Sequence, residues 1–145
     1  MKDRGEDEGS VSTDHPLVYA CSGCSSAAQL CNTLALRMDH QGLAEMSCIA
    51  GVGGGVPKLL GVARSGRPLL VLDGCPLHCA LRCLAQQGIT PTLHLDLSRH
   101  GVRRRLHTLA DAGEEARVWE DVVLPACSPW LVQPTCGSDA SGRQA

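Results

Sequence analysis

Five cysteines carry the chemistry this chain advertises. Cys21-Ser22-Gly23-Cys24 and Cys75-Pro76-Leu77-His78-Cys79 are two close pairs, and Cys48 stands between them. A pair separated by two residues curls so that both sulfurs can meet one ion, and residues four apart on a helical turn face the same way. Two such pairs can build a tetrahedral thiolate site with metal–sulfur distances of about 2.3 Å, for which zinc is the expected ion. An iron–sulfur cluster is the alternative cofactor, because it uses the same tetrahedral sulfur geometry. Cys48 is expected as a fifth thiolate able to compete for the ion.

Nine cysteines in 145 residues also bear on compartment. Met1-Lys2-Asp3-Arg4-Gly5-Glu6-Asp7-Glu8 is acidic where a secretory leader is basic and then apolar, so a cytoplasmic, reducing setting is expected. There, clustered cysteines serve as metal ligands or redox groups more often than as disulfides. The formal charge of −2 offers no footprint for nucleic acid. No apolar run approaches the roughly 18 residues that would span a bilayer. The expected partner is a metal ion, with no nucleic acid and no membrane, and the sequence does not identify a protein partner. With no Phe, one Tyr and two Trp, the core must be aliphatic, which leaves little for aromatic cages or base-stacking platforms.

The elements that must position these thiols follow from periodicity. Short apolar runs ending in Cys or Gly alternate with segments of helical spacing, the βα pattern of a parallel sheet. Strands are expected at Leu17–Ala20, Ala44–Ile49, Leu69–Leu72 and Thr92–Leu95. A first helix follows Cys24, with Ala27, Ala28, Cys31, Leu34, Ala35 and Met38 as its apolar stripe and Gly42 as its stop. A second begins near Pro57, burying Leu59, Leu60 and Ala63, and a third has Pro76 inside its start and Gly88 past its end. Residues 101–116 are expected to be helical and 118–124 to form an edge strand.

The fold class expected is therefore α/β: one doubly wound, flavodoxin- or Rossmann-like domain over residues 15–132, with a mostly parallel sheet of four to five strands. The acidic segment 1–14 and the tail 133–145 are expected to be disordered. In a sheet ordered 2-1-3-4, all carboxyl strand ends point to one edge, where ligands bind at the switch point of the winding. That order brings Cys21 and Cys24 beside both Cys48 and the Cys75/Cys79 pair. Helix N-termini at these loops would stabilise the thiolates.

Other residues near the pairs have plainer readings. Asp73 is either an acceptor or a cap that shapes the metal loop, or an ordinary Asp-Gly turn after a strand. His78 lies about 100° around the expected helix from Cys79, so a ligand role needs distortion, against the simpler reading of a surface histidine. Cys31 and Cys83 are expected as buried structure. Gly51-Val52-Gly53-Gly54-Gly55-Val56 misses the dinucleotide fingerprint, and Lys58 follows Pro57 where a phosphate-binding loop needs Gly-Lys. The run is expected to be a flexible strand-to-helix turn or, alternatively, a nest of N–H groups facing the thiolates or a bound anion. Arg103-Arg104-Arg105 reads as a solvated helix face. No arginine stands six residues beyond Cys21, Cys24 or Cys75, so a phosphatase-type loop is unsupported.

Three stretches, Tyr19 to Gln29, Met46 to Gly54 and Leu72 to Cys79, resemble the DGC-domain family, small prokaryotic proteins named for an Asp-Gly-Cys motif, here Asp73-Gly74-Cys75. The resemblance covers about residues 16–105. It implies zinc chelation by cysteines and implies no established reaction. The spacing argument and the resemblance meet on Cys21, Cys24, Cys75 and Cys79. A zinc fully coordinated by thiolate has no open position for water, so a structural, sensing or metal-handling role is expected rather than an enzyme. The rival is a thiol–disulfide oxidoreductase using Cys21 and Cys24, since strand, C-x2-C and helix is the thioredoxin arrangement and Thr90-Pro91-Thr92 resembles the proline facing it.

Overall fold

Short strands separated by helices form a sheet of four parallel strands, because each intervening helix carries the chain back so that the next strand runs in the same direction. The computed structural model describes residues 14–133. The expected terminal segments fall outside these residues, apart from Asp14 and Gln133. The strands are β1 (Leu17–Ala20), β2 (Glu45–Met46), β3 (Leu69–Asp73) and β4 (Leu93–Asp96), in the order β2-β1-β3-β4. Leu17 to Ala20 pair in register with Leu69 to Leu72, and Leu70 to Asp73 with Leu93 to Asp96. The two central strands, β1 and β3, are buried along their whole length, as a sheet covered on both faces requires.

Helix α1 (Ser26–His40) packs across β1, β2 and β3. Its buried apolar residues, Ala27, Leu30, Cys31, Leu34, Ala35 and Met38, follow the expected stripe with Leu30 added and Ala28 only half-buried. Gly42 supplies the left-handed turn after it, at φ +69°. Helix α4 (Cys79–Gln86) packs on β3 and on α2 (Ile49–Gly53), which in turn meets α3 (Pro57–Ala63). The result is the doubly wound α/β domain.

Several elements differ from expectation, each for a local reason. Strand β2 is only two residues long, because Ser47 makes one more bond to the Val18 carbonyl (3.1 Å) and Cys48 then caps α2 instead of ending a strand. The glycine run is not a flexible turn throughout. Ile49–Gly53 is helical, and Gly51 lets Leu59 of α3 sit where a Cβ would be. In α3 only Ala63 of the expected stripe is fully buried, with Leu59 and Leu60 half-buried. Helix α4 starts at Cys79 rather than Pro76, because His78 is left-handed (φ 52°, ψ 47°) and cannot continue a right-handed turn. Cys75 therefore precedes the helix and does not share its first turn with Cys79.

The C-terminal third departs most. Residues 97–100 form a 3₁₀ turn and 101–111 are irregular. Helix α5 (Ala112–Val118) runs through a π-helical segment, Trp119–Val123, into α6 (Leu124–Cys127), where an edge strand was expected. The buried residues Val118, Trp119, Val122, Val123 and Cys127 recur at helical steps, and burial of that face outweighs the strand preference of three valines. Arg37 of α1 lies over the Trp119 ring at 4.3 Å, and Val132 donates to the Leu43 carbonyl, so this segment is fastened to α1.

Candidate thiolate site

At the carboxyl edge of the sheet the chain must turn from β1 into α1 and from β3 into α4, and the two turns lie side by side because β1 and β3 are neighbours. Cys21 adds one more sheet bond, to the Leu72 carbonyl, and its sulfur accepts from Gly74 N–H at 3.3 Å. A Cβ at Gly74 would stand 2.6 Å from the Ala27 carbonyl oxygen, so only glycine lets the Asp73-Gly74-Cys75 loop lie on the first turn of α1. The two loops enclose a cavity of about 180 Å³ lined by Cys21, Cys24, Cys75 and Cys79, with Leu77 and Arg104 among its other walls.

Ser25 starts α1 and caps it by accepting from Ala28 N–H at 3.1 Å. The positive end of a 15-residue helix is thus turned to the cavity. Arg104 arrives from the irregular 101–111 segment, not from a helix face. Ser26 N–H bonds the Arg105 carbonyl, Arg105 N–H bonds the Ser26 hydroxyl, and Ser25 bridges Leu106. Arg104 thereby becomes the one basic residue among the described residues of the cavity wall.

The cysteines are not equivalent. All eight described cysteines are free thiols. Cys21 is held below the ordinary thiol range, chiefly because the Cys31 thiol donates to it; burial opposes this, and Gly74 N–H adds to the lowering. Cys31, fully buried on α1, is pushed well up by the same hydrogen bond and by burial. Cys79 is raised by burial first and then by the negative charge of Asp73, Cys75 and Cys21. Cys24 and Cys79 stand exposed at the rim, Cys75 is half-buried, and Cys21 lies beneath them.

A polar support that begins at Asp73 in the cavity wall ties β3, β4 and α4 together. Asp73 is 1% exposed and caps α4, its Oδ1 accepting from Ala80 N–H (3.0 Å) and its Oδ2 from Leu81 N–H (3.1 Å), while His94 Nε2 lies 2.8 Å from that same Oδ2. The capping reading of Asp73 is therefore the one the structure adopts. Asp96, its register partner on β4, receives Ser98 N–H and lies 2.8 Å from His78 Nε2. The His78 and His94 rings meet edge to face at 4.7 Å. His78 thus turns to Asp96 from a cap position and does not line the cavity. His94 and Asp96 escaped sequence reasoning; a signal was present in two apolar strands each ending on Asp at the same phase.

One expected ligand, and the proline of the rival reading, stand apart from the four. Cys48 does not line the cavity; its sulfur caps α2 by accepting from Gly51 N–H at 3.3 Å. Pro91, offered as the thioredoxin-like proline, precedes β4 at the amino edge, where Thr92 N–H bonds the Leu69 carbonyl, opposite the cavity. Among the described residues no three His, Cys, Asp or Glu side chains are placed at ion-holding distance. The four thiols line a shared volume, a donor set that suits a thiophilic ion.

The DGC domain matches residues 17–122, the span that holds the sheet and all the thiols of the cavity. The chain is a DGC-domain protein. A Pseudomonas aeruginosa protein named "Anaerobic and virulence modulator AnvM" is 60% identical over 107 residues, 74% of this chain and 82% of that protein. No solved structure matches the chain. No helix among the described residues of this DGC-domain protein is long and apolar enough to cross a membrane.

Proposed function

We propose that this protein binds a zinc-class ion through Cys21, Cys24, Cys75 and Cys79 and acts in the cytoplasm as a metal-handling or sensing protein rather than as an enzyme. The observation that carries the reading is that these four thiols, 58 residues apart at their extremes, line one small cavity. Three features support it. The Cys21 thiol is held below its ordinary range, the positive end of α1 faces the cavity with Arg104 in its wall, and the buried Asp73 anchors the loop that carries Cys75. When bound, the ion would hold the four sulfurs deprotonated and fasten the two loops together. A thiolate site whose occupancy depends on reducing conditions also suits a regulatory role of the kind named for the Pseudomonas relative.

Cobalt(II) titration of reduced protein tests this, because sulfur-to-cobalt charge transfer appears only where thiolates ligate. The expected result is an intense band that saturates at about one ion per chain, weakens in Cys75→Ser and persists in Cys48→Ser. Absence of the band under reducing conditions would overturn the reading. An iron–sulfur occupant would instead give visible colour in anaerobically purified protein.

One observation favours a second reading. The depressed Cys21 thiol beside Cys24 is also what a dithiol oxidoreductase needs. Catalytic reduction of a model disulfide, with a Cys21–Cys24 disulfide trapped in the cycle, would decide for it.

A further inference from the structure

Outside the cavity, an open groove of about 590 Å³ runs along α4, with Gly53 of α2 on one side and Cys79, Arg82 and Cys83 on the other. Cys79 alone among the cysteines lines both spaces. We propose that Cys79 and Cys83 form a surface transfer station through which a thiophilic, zinc-class ion enters and leaves the inner cavity, with Cys79 as the sulfur common to both stations. The inference rests on the thiolate reading above and adds a route and a residue, Cys83, that the four-cysteine site does not use.

The geometry supports each part. Residues four apart share one face of a helix, the spacing by which helical ligand pairs hold an ion. Cys83 is half-buried and Cys79 exposed, and both line the groove. A Cβ at position 53 would stand 3.0 Å from the Cys83 sulfur; glycine brings α2 close while putting no side chain over that sulfur. Cys79 also lies within electrostatic reach of Cys75 and Cys21 on the inner side and of Cys83 on the outer side. Arg82 donates to the Leu77 carbonyl at 3.1 Å, tying the wall of the groove to the loop that walls the cavity.

Two protein sulfurs leave coordination positions free for a donor's ligands, which a closed four-thiolate site does not. Passage inward then needs no oxidant. The ion keeps its bond to Cys79 while the bond to Cys83 breaks and one to Cys75 forms, and the two donor ligands then leave as Cys21 and Cys24 bind, carrying away the protons those two thiols release. The proton lost by Cys75 is taken up, through water, by the released Cys83 thiolate, and the oxidation state of sulfur and metal is unchanged.

The test is stopped-flow transfer of zinc from the loaded, full-length protein to an excess of chromogenic chelator. Cys83→Ser is expected to keep its equilibrium content of about one ion and yet release it roughly tenfold more slowly, in the range seen when a supporting group is removed from a metal site. Gly53→Ala, which retains every thiol and crowds Cys83, is expected to slow release in the same direction, with circular dichroism and a thermal melt checking both folds. Release from folded Cys83→Ser or Gly53→Ala at the wild-type rate would overturn the transfer station while leaving the four-thiolate site standing. A wild-type protein that loads no zinc would overturn both.

Discussion

Cys31 shows how much a single residue can do without touching solvent. It sits on the buried stripe of α1, where a small apolar side chain would serve for packing, yet its thiol donates to Cys21 and is the largest influence on that group. Cys31→Ala is therefore expected to cost roughly 1–2 kcal/mol by loss of packing. It should also move alkylation of Cys21 in metal-free protein to higher pH, because the thiolate loses its main donor. Mass spectrometry of alkylated peptides across a pH series checks this; an unchanged Cys21 profile would contradict it. The core position of Cys31 was legible from its spacing. Its partnership with Cys21 was not, because a helical stripe specifies which face is buried and not what the buried atom meets.

At the scale of elements, close approach and capping decide where the thiols stand. Gly74→Ala would place a methyl 2.6 Å from the Ala27 carbonyl, so either the Asp73–Cys75 loop or α1 must move. A cost of about 1–3 kcal/mol is expected, as for other overpacked sites, read as a lower denaturation midpoint. The tie between β4 and the loop before α4 gives a pH signature. Burial acts to raise the Asp96 carboxyl, but hydrogen bonds from Ser98 and His78 outweigh it, and the net shift is downward from 3.8. A carboxyl depressed in the folded state contributes stability that is present above the unfolded value and lost as pH falls through the folded one. Wild type should lose stability as pH drops below about 3.8, and Asp96→Asn should be less stable near neutrality with a flatter acid limb. Parallel acid limbs in thermal melts would contradict this account.

These elements also show what sequence patterning carries. The winding order and three of the four strands followed from alternating apolar runs, since tertiary burial and local pattern agree there. The start of α4 did not follow. Pro76 is well suited to a first helical position, but a left-handed His78 and the long-range acceptor Asp73 moved the start three residues on. Trp119–Val123 was misread because valine-rich runs favour strands unless burial on another helix outweighs the preference.

Over the whole molecule, the doubly wound sheet turns sequence separation into proximity, and four of the five expected ligands line one cavity because β1 and β3 are adjacent. Cys48 falls outside because its strand ends early and its sulfur is engaged by α2. The central claim is that the four thiols hold one ion, and it is tested most directly by elemental analysis of anaerobically purified protein. The account predicts about one zinc per chain in wild type, retained in Cys31→Ala and largely lost in Cys75→Ala. A folded, metal-free wild type that takes up no zinc under reducing conditions, or equal loss from both variants, would contradict it.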